Sequence, residues 1–106
     1  MKTIILGIES SCDETSASIC IDGKVMNNII ATQSIHKEYG GVVPELASRA
    51  HQKNIILVVD SALKGAQIKL SDLSAIAVTQ GPGLLGALMV GYSYDKSLAF
   101  ALNIPF

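Results

Sequence analysis

The sequence predicts an α/β domain in which three consecutive strands are followed by a helix, a strand and a second helix. Three observations carry that prediction. The chain opens with a continuous, β-branched apolar run; Asp22-Gly23 marks a hairpin turn inside the next apolar stretch; and two long helical segments enclose a short run of strand character at residues 75–79.

Residues 3–7 are apolar without interruption, which suits a strand buried on both faces, and the run stops at Glu9. A polar connector, Ser10-Ser11-Cys12-Asp13-Glu14, leads to residues 15–21, where small or apolar residues alternate with polar ones. Asp-Gly then supplies the two positive-φ residues of a tight hairpin, and residues 24–32, with Val25, Ile29, Ile30 and Ala31, complete a three-stranded meander. His36-Lys37-Glu38-Tyr39-Gly40-Gly41 is a loop by composition. Pro44, followed by Glu45 in the first turn, starts a helix near Val43 that runs to Lys64, with Gly65 as its left-handed cap. Ser71 and Asp72 precede the fourth strand, and Gly81-Pro82-Gly83 leads into a second helix over residues 84–103.

Residues 55–59, Ile-Ile-Leu-Val-Val, are five apolar residues in succession, compatible with a buried strand or with a helix apolar on every side. The helix reading is preferred. It implies packing on the chain's own sheet with one face and on another helix or subunit with the other. Such an interface would centre on Ile55, Val58 and Val59 and on the Leu88, Tyr92, Asp95 side of the second helix.

The chain has 106 residues, 49% of them hydrophobic and 16% charged, with a mean hydropathy of +0.42. That composition supplies a core and excludes intrinsic disorder. Eight basic residues, a single arginine among them, are spread against nine acidic ones, so no autonomous footprint for a phosphate backbone exists. The opening apolar run is too short for a secretory signal, and residues 84–102 are interrupted by Tyr92-Ser93-Tyr94-Asp95-Lys96, so no membrane span is expected. Cys12 and Cys20 then belong to a reducing, cytoplasmic setting.

Ser10 to Glu14 is the first candidate site. A tight turn of hydroxyls and free backbone N–H groups can wrap terminal phosphates while an adjacent carboxylate holds a magnesium ion or its waters, and Asp13 and Glu14 stand where that carboxylate would be. An ordinary polar hairpin would read the same way. Gly81-Pro82-Gly83-Leu84-Leu85-Gly86 matches G-x-G-x-x-G, but no βαβ unit with a downstream acid follows, so dinucleotide binding is not indicated. Those glycines would permit close backbone approach and leave helix N-terminal amides free for an anion, or simply pack strand against helix. His36 and His51 lack a second ligand at helical spacing and are not read as metal ligands. Cys20, alternating inward, would be a small core residue.

Four segments together resemble the TsaD family, formerly called O-sialoglycoprotein endopeptidase or glycoprotease. They are Gly7-Ile8-Glu9-Ser10-Ser11-Cys12-Asp13-Glu14-Thr15; His36 and Tyr39-Gly40-Gly41-Val42-Val43-Pro44-Glu45-Leu46-Ala47-Ser48-Arg49-Ala50-His51; Thr79-Gln80-Gly81-Pro82-Gly83-Leu84; and Lys96-Ser97-Leu98-Ala99. The related TsaB subunit shares the Gly-Pro-Gly turn but lacks the first two segments.

The resemblance implies the N-terminal lobe of the actin-like ATPase fold, shared with sugar kinases and heat-shock chaperones, over residues 1–106. It implies transfer of a threonylcarbamoyl group from threonylcarbamoyl-AMP to the adenosine beside the anticodon of certain tRNAs, with TsaB and TsaE as partners. ATP or the adenylate and a divalent metal, iron or zinc, would serve the whole enzyme. The family's H-x-x-x-H metal segment follows an Ile-Pro like Ile104-Pro105, so the chain is expected to be a lobe cut before the metal histidines and the second lobe, inactive alone, with no metal ligand of its own and no tightly bound cofactor. Carried over onto these residues, Asp13 and Glu14 are the candidate catalytic pair, and Ser11 and Cys12 the candidate cofactor-binding residues. Two other functions compete: a binding module that docks a sister subunit or dimerises through helices 44–64 and 84–103, and the zinc peptidase of the older label.

Overall fold

A computed structural model describes residues 2–33 and 39–106. Strand β1 (Ile4–Glu9) is central, pairing antiparallel with β2 (Glu14–Ile21) on one side and parallel with β5 (Ala75–Val78) on the other. The short strands β3 (Lys24–Val25) and β4 (Ile29–Thr32) both pair with β2, one beyond the other, and complete a five-stranded sheet. Asp22 and Gly23 take φ of 50° and 83°, the consecutive left-handed pair that a two-residue hairpin requires.

The third strand of the meander is broken where the sequence predicts continuity. The Met26 amide donates to the Ile19 carbonyl (2.7 Å), and the Asn27 carboxamide then takes over from the backbone. It accepts from the Ile19 amide (3.0 Å) and donates to the Ala62 carbonyl (2.9 Å). A side chain thus replaces a rung of the ladder and ties the sheet to the first helix.

Period-two alternation puts Ile4, Leu6, Ile8, Ala17 and Ile19 on one sheet face, where both helices pack. Cys20 lies opposite Ile5 on the other face and is half-buried there. It is therefore not the core residue that an inward alternation would make it, because Thr15, Ala17 and Ile19 hold the inward set.

Helix α1 (Pro44–Gly65) begins with Pro44 in its first turn and Val43 as extended N-cap. Its C-terminus differs from expectation. Gly65 lies inside the helix, Ala66 caps it in right-handed geometry, and Gln67 takes the left-handed position with φ of 58°. Glycine at 65 serves packing: an added Cβ would come within 3.1 Å of the Asn27 amide nitrogen. A single 3₁₀ turn (Leu70–Asp72) precedes β5. Helix α2 (Leu85–Leu102) ends at Asn103, which has φ of 57°.

Within α1 the run 55–59 is helical and divides by angle. Ile55, Val58 and Val59 are buried with Ala62 against the sheet, whereas Ile56 and Leu57 are 62% and 64% exposed. The interface expected at Ile55, Val58 and Val59 is thus the chain's own core; the outward apolar residues are their neighbours. Asp95 is corrected likewise. It joins Ala87, Gly91 and Ala99 on the inward stripe of α2 and has no exposed surface. No described helix is long and apolar enough to cross a membrane.

Candidate functional site

The polar connector between β1 and β2 is held from three directions. Ser10 is buried, and its hydroxyl donates to the Ala87 carbonyl (2.8 Å) while accepting from the Gly91 amide (3.1 Å). In an unbroken helix those two groups bond to each other. The Ser10 side chain therefore enters the hydrogen-bond ladder of α2, and only glycine fits at 91, since a Cβ there would lie 2.6 Å from the Ser10 oxygen.

Ser11 faces a second element. Its carbonyl accepts from the Leu84 amide (2.7 Å) at the start of α2, and Gly83 approaches so closely that a Cβ would stand 2.5 Å from that carbonyl oxygen. On the chain's other side, the Ser11 amide and hydroxyl both donate to the Glu9 carboxylate, the hydroxyl at 2.9 Å. Of the candidate cofactor-binding residues, Ser11 thus spends its polar groups on the loop's own framework. Cys12 is half-buried with a free thiol, and its carbonyl accepts from His51 Nε2 (2.8 Å).

His51 is the third anchor. It lies on the inward stripe of α1 with no exposed surface, and its Nδ1 stands 2.7 Å from the Thr15 hydroxyl, itself fully buried. The loop so fixed presents Asp13, half-buried, and Glu14, exposed at the first position of β2. Neither carboxylate is hydrogen-bonded among the described residues. Two carboxylates on a turn held by these bonds can orient a cationic or hydrogen-bond-donating reactant.

The structure thus brings together the acid loop and the Gly-Pro-Gly turn, which the sequence places some seventy residues apart. Three participants were given no site role by the sequence: Glu9, Thr15 and His51. For His51 a signal existed. Positions 51, 55, 58, 59 and 62 form one helical stripe, and a histidine on a buried stripe must find partners for both ring nitrogens. His36 lies outside the described residues. Among those described, no three His, Cys, Asp or Glu side chains converge as a metal site would require.

Between the helices runs a groove of about 500 Å³, bounded by Ser48, Gln52 and Ile56 on α1 and Gly86, Met89 and Ser93 on α2. Leu57, Leu85 and Tyr92 add to the exposed apolar surface of the same two helices.

Comparison with known proteins follows the same lines. The family described as "TsaD: tRNA N6-adenosine threonylcarbamoyltransferase" matches residues 24–106. The proteins of that name from Christiangramia forsetii and Cytophaga hutchinsonii are each 60% identical over 104 and 105 residues, and that from Phocaeicola vulgatus is 58% identical over 105. These matches cover 98–99% of this chain but only 31% of the relatives' length. Among solved structures, YeaZ from Pseudomonas aeruginosa superposes with a TM-score of 0.72 at 23% identity, covering 98% of this chain and 42% of that one. A second, described as an uncharacterized protein with similarity to peptidase YeaZ from the same organism, gives 0.70 at 22%. The likeness is one of fold, the α/β lobe of the actin-like ATPase type.

Proposed function

Since the chain belongs to the TsaD family, we propose that it forms the catalytic-loop lobe of a tRNA N6-adenosine threonylcarbamoyltransferase. The observation that carries this reading is the union of the acid loop with the Gly-Pro-Gly turn: Ser11 bonded to Leu84, Gly83 against Ser11, and Asp13 and Glu14 left outward.

In the proposed reaction the exocyclic amine of adenosine attacks the carbamoyl carbon of threonylcarbamoyl-AMP. A C–N bond forms, the C–O bond to phosphate breaks, AMP departs, and the amine loses a proton. The substrate is an anhydride with a good leaving group, so the protein's task is positioning and charge stabilisation. Asp13 and Glu14 are suited to orient the amine and receive its proton, while the Cys12 amide and the first amides of α2 suit the phosphate side. A divalent metal belongs to the same proposal for the whole enzyme, but the described residues do not assemble its ligands. The chain spans about 31% of its relatives, so activity is assigned to the longer protein and none to these residues alone.

The experiment is Asp13→Ala in the full-length protein, read by mass spectrometry of tRNA. Modification is expected to be abolished with the melting temperature nearly unchanged, because a loop carboxylate without a partner contributes little packing. A melting temperature several degrees lower with proportionate loss of activity would mark Asp13 as structural.

A second reading concerns assembly, and the exposed Ile56, Leu57 and Met89 beside the interhelical groove favour it. The proposed occupant is TsaB, whose helices would pack on α1 and α2; a second copy of this chain is the alternative, and TsaE and tRNA would join the full complex in the cytoplasm.

A further inference from the structure

The Asp13–Glu14 pair is bracketed by a single side chain. His51 Nε2 meets the carbonyl of Cys12, the residue before Asp13, and His51 Nδ1 meets the hydroxyl of Thr15, the residue after Glu14. A carbonyl can only accept, so Nε2 carries a proton and donates to it, whereas the Thr15 hydroxyl both donates and accepts and so serves Nδ1 in either protonation state of the ring. Both His51 and Thr15 have no exposed surface, so water cannot stand in for either of them in these bonds. His51 also lies on the sheet-facing stripe of α1, with Ile55, Val58 and Val59, so the ring is carried by the best-packed part of the molecule.

We propose that His51, acting with Thr15, is the positioning residue of the acid pair: it fixes where the two carboxylates stand without touching the reacting groups. The inference rests on the reading of this loop as part of the transferase site, and it gives a role to a residue that the sequence alone left without one. A ring bonded on both sides of a two-residue segment limits that segment's displacement from both ends. A shift of about 1 Å in a positioned group is sufficient to slow an enzyme roughly a hundredfold.

The test uses the full-length protein and three measurements: steady-state modification of tRNA, thermal melting, and the protonation pattern of the His51 ring by nitrogen-15 nuclear magnetic resonance. Thr15→Val is expected to lower kcat by about a hundredfold, to leave KM for tRNA nearly unchanged and to shift the Asp13 and Glu14 amide resonances. Thr15→Ser, which retains the hydroxyl, is expected to restore both kcat and the amide resonances. In the unaltered protein Nε2 is expected to carry a proton. Wild-type kcat in Thr15→Val, a Thr15→Ser variant as slow as Thr15→Val, or a ring without a proton on Nε2 would each overturn the proposal, and the last needs no variant that might misfold. An unimpaired Asp13→Ala enzyme would instead remove the transferase reading of the loop, leaving the amide shifts and the ring proton to decide the bracing role.

Discussion

Asp95 is the residue least at ease in its surroundings. Both carboxylate oxygens are buried and lack a hydrogen-bond partner among the described residues, and burial pushes the carboxyl up from 3.8 to about 7. Burial first, and then the charge of Asp95, also raise the neighbouring Tyr94 phenol. Between those two values the folded chain holds a proton on Asp95 that the unfolded chain has released. The group's contribution to stability is therefore complete below about pH 4 and is lost as pH rises towards 7, by roughly 4 kcal/mol in all. Asp95→Asn, which cannot ionise, should lack this dependence. Denaturant titrations of both proteins at pH 5 and pH 7.5 should show the variant gaining on the wild type at the higher pH; parallel profiles would mean that Asp95 has found a counter-charge. Sequence could not foresee this. An aspartate on a helix is ordinarily solvated, and only the stripe Ala87, Gly91, Asp95, Ala99 reveals that it faces the sheet.

At the level of elements, α1 separates two kinds of apolar residue that look alike in sequence. Val58→Glu would force a charge into the core beside Ile55 and Val59 and should prevent folding. Ile56→Glu and Leu57→Glu alter only the outward side; the expectation is an unchanged melting temperature with loss of TsaB binding or self-association, read by analytical ultracentrifugation. Retained assembly in both variants would exclude this face. The turn before α2 makes a comparable distinction between glycines. Gly83→Ala drives a methyl group into the Ser11 backbone and should cost about 1–3 kcal/mol by melting. Gly86→Ala meets only ordinary contact with Ser48 at 3.6 Å, and alanine is the better helix former, so it should be neutral or mildly stabilising. Equal destabilisation by both would show that helix-starting flexibility, and not the approach to Ser11, explains the glycines.

Across the whole molecule, what the sequence made legible is what local chemistry determines. Asp22-Gly23 predicted the hairpin, Pro44 the start of α1, and the alternation at 15–21 the core face of β2; the order of strands and helices followed. The interrupted strand and the end of α1 were not legible, because both depend on Asn27 meeting Ala62 and Gly65 across 35 or more residues of intervening chain. The candidate site divides similarly. Asp13 and Glu14 were visible as a polar string, whereas Ser10, Thr15 and His51 acquire their roles only when α1 and α2 close over the sheet. The Ser10 hydroxyl between Ala87 and Gly91 has a mechanical consequence. A loop whose side chain forms part of a helix's own ladder cannot swing independently of that helix, so the slowest opening of the loop and the local unfolding of the first turns of α2 become one event. The Gly91 amide should then exchange with solvent deuterium at a rate that reports on the loop, and Ser10→Ala should uncouple the two clocks.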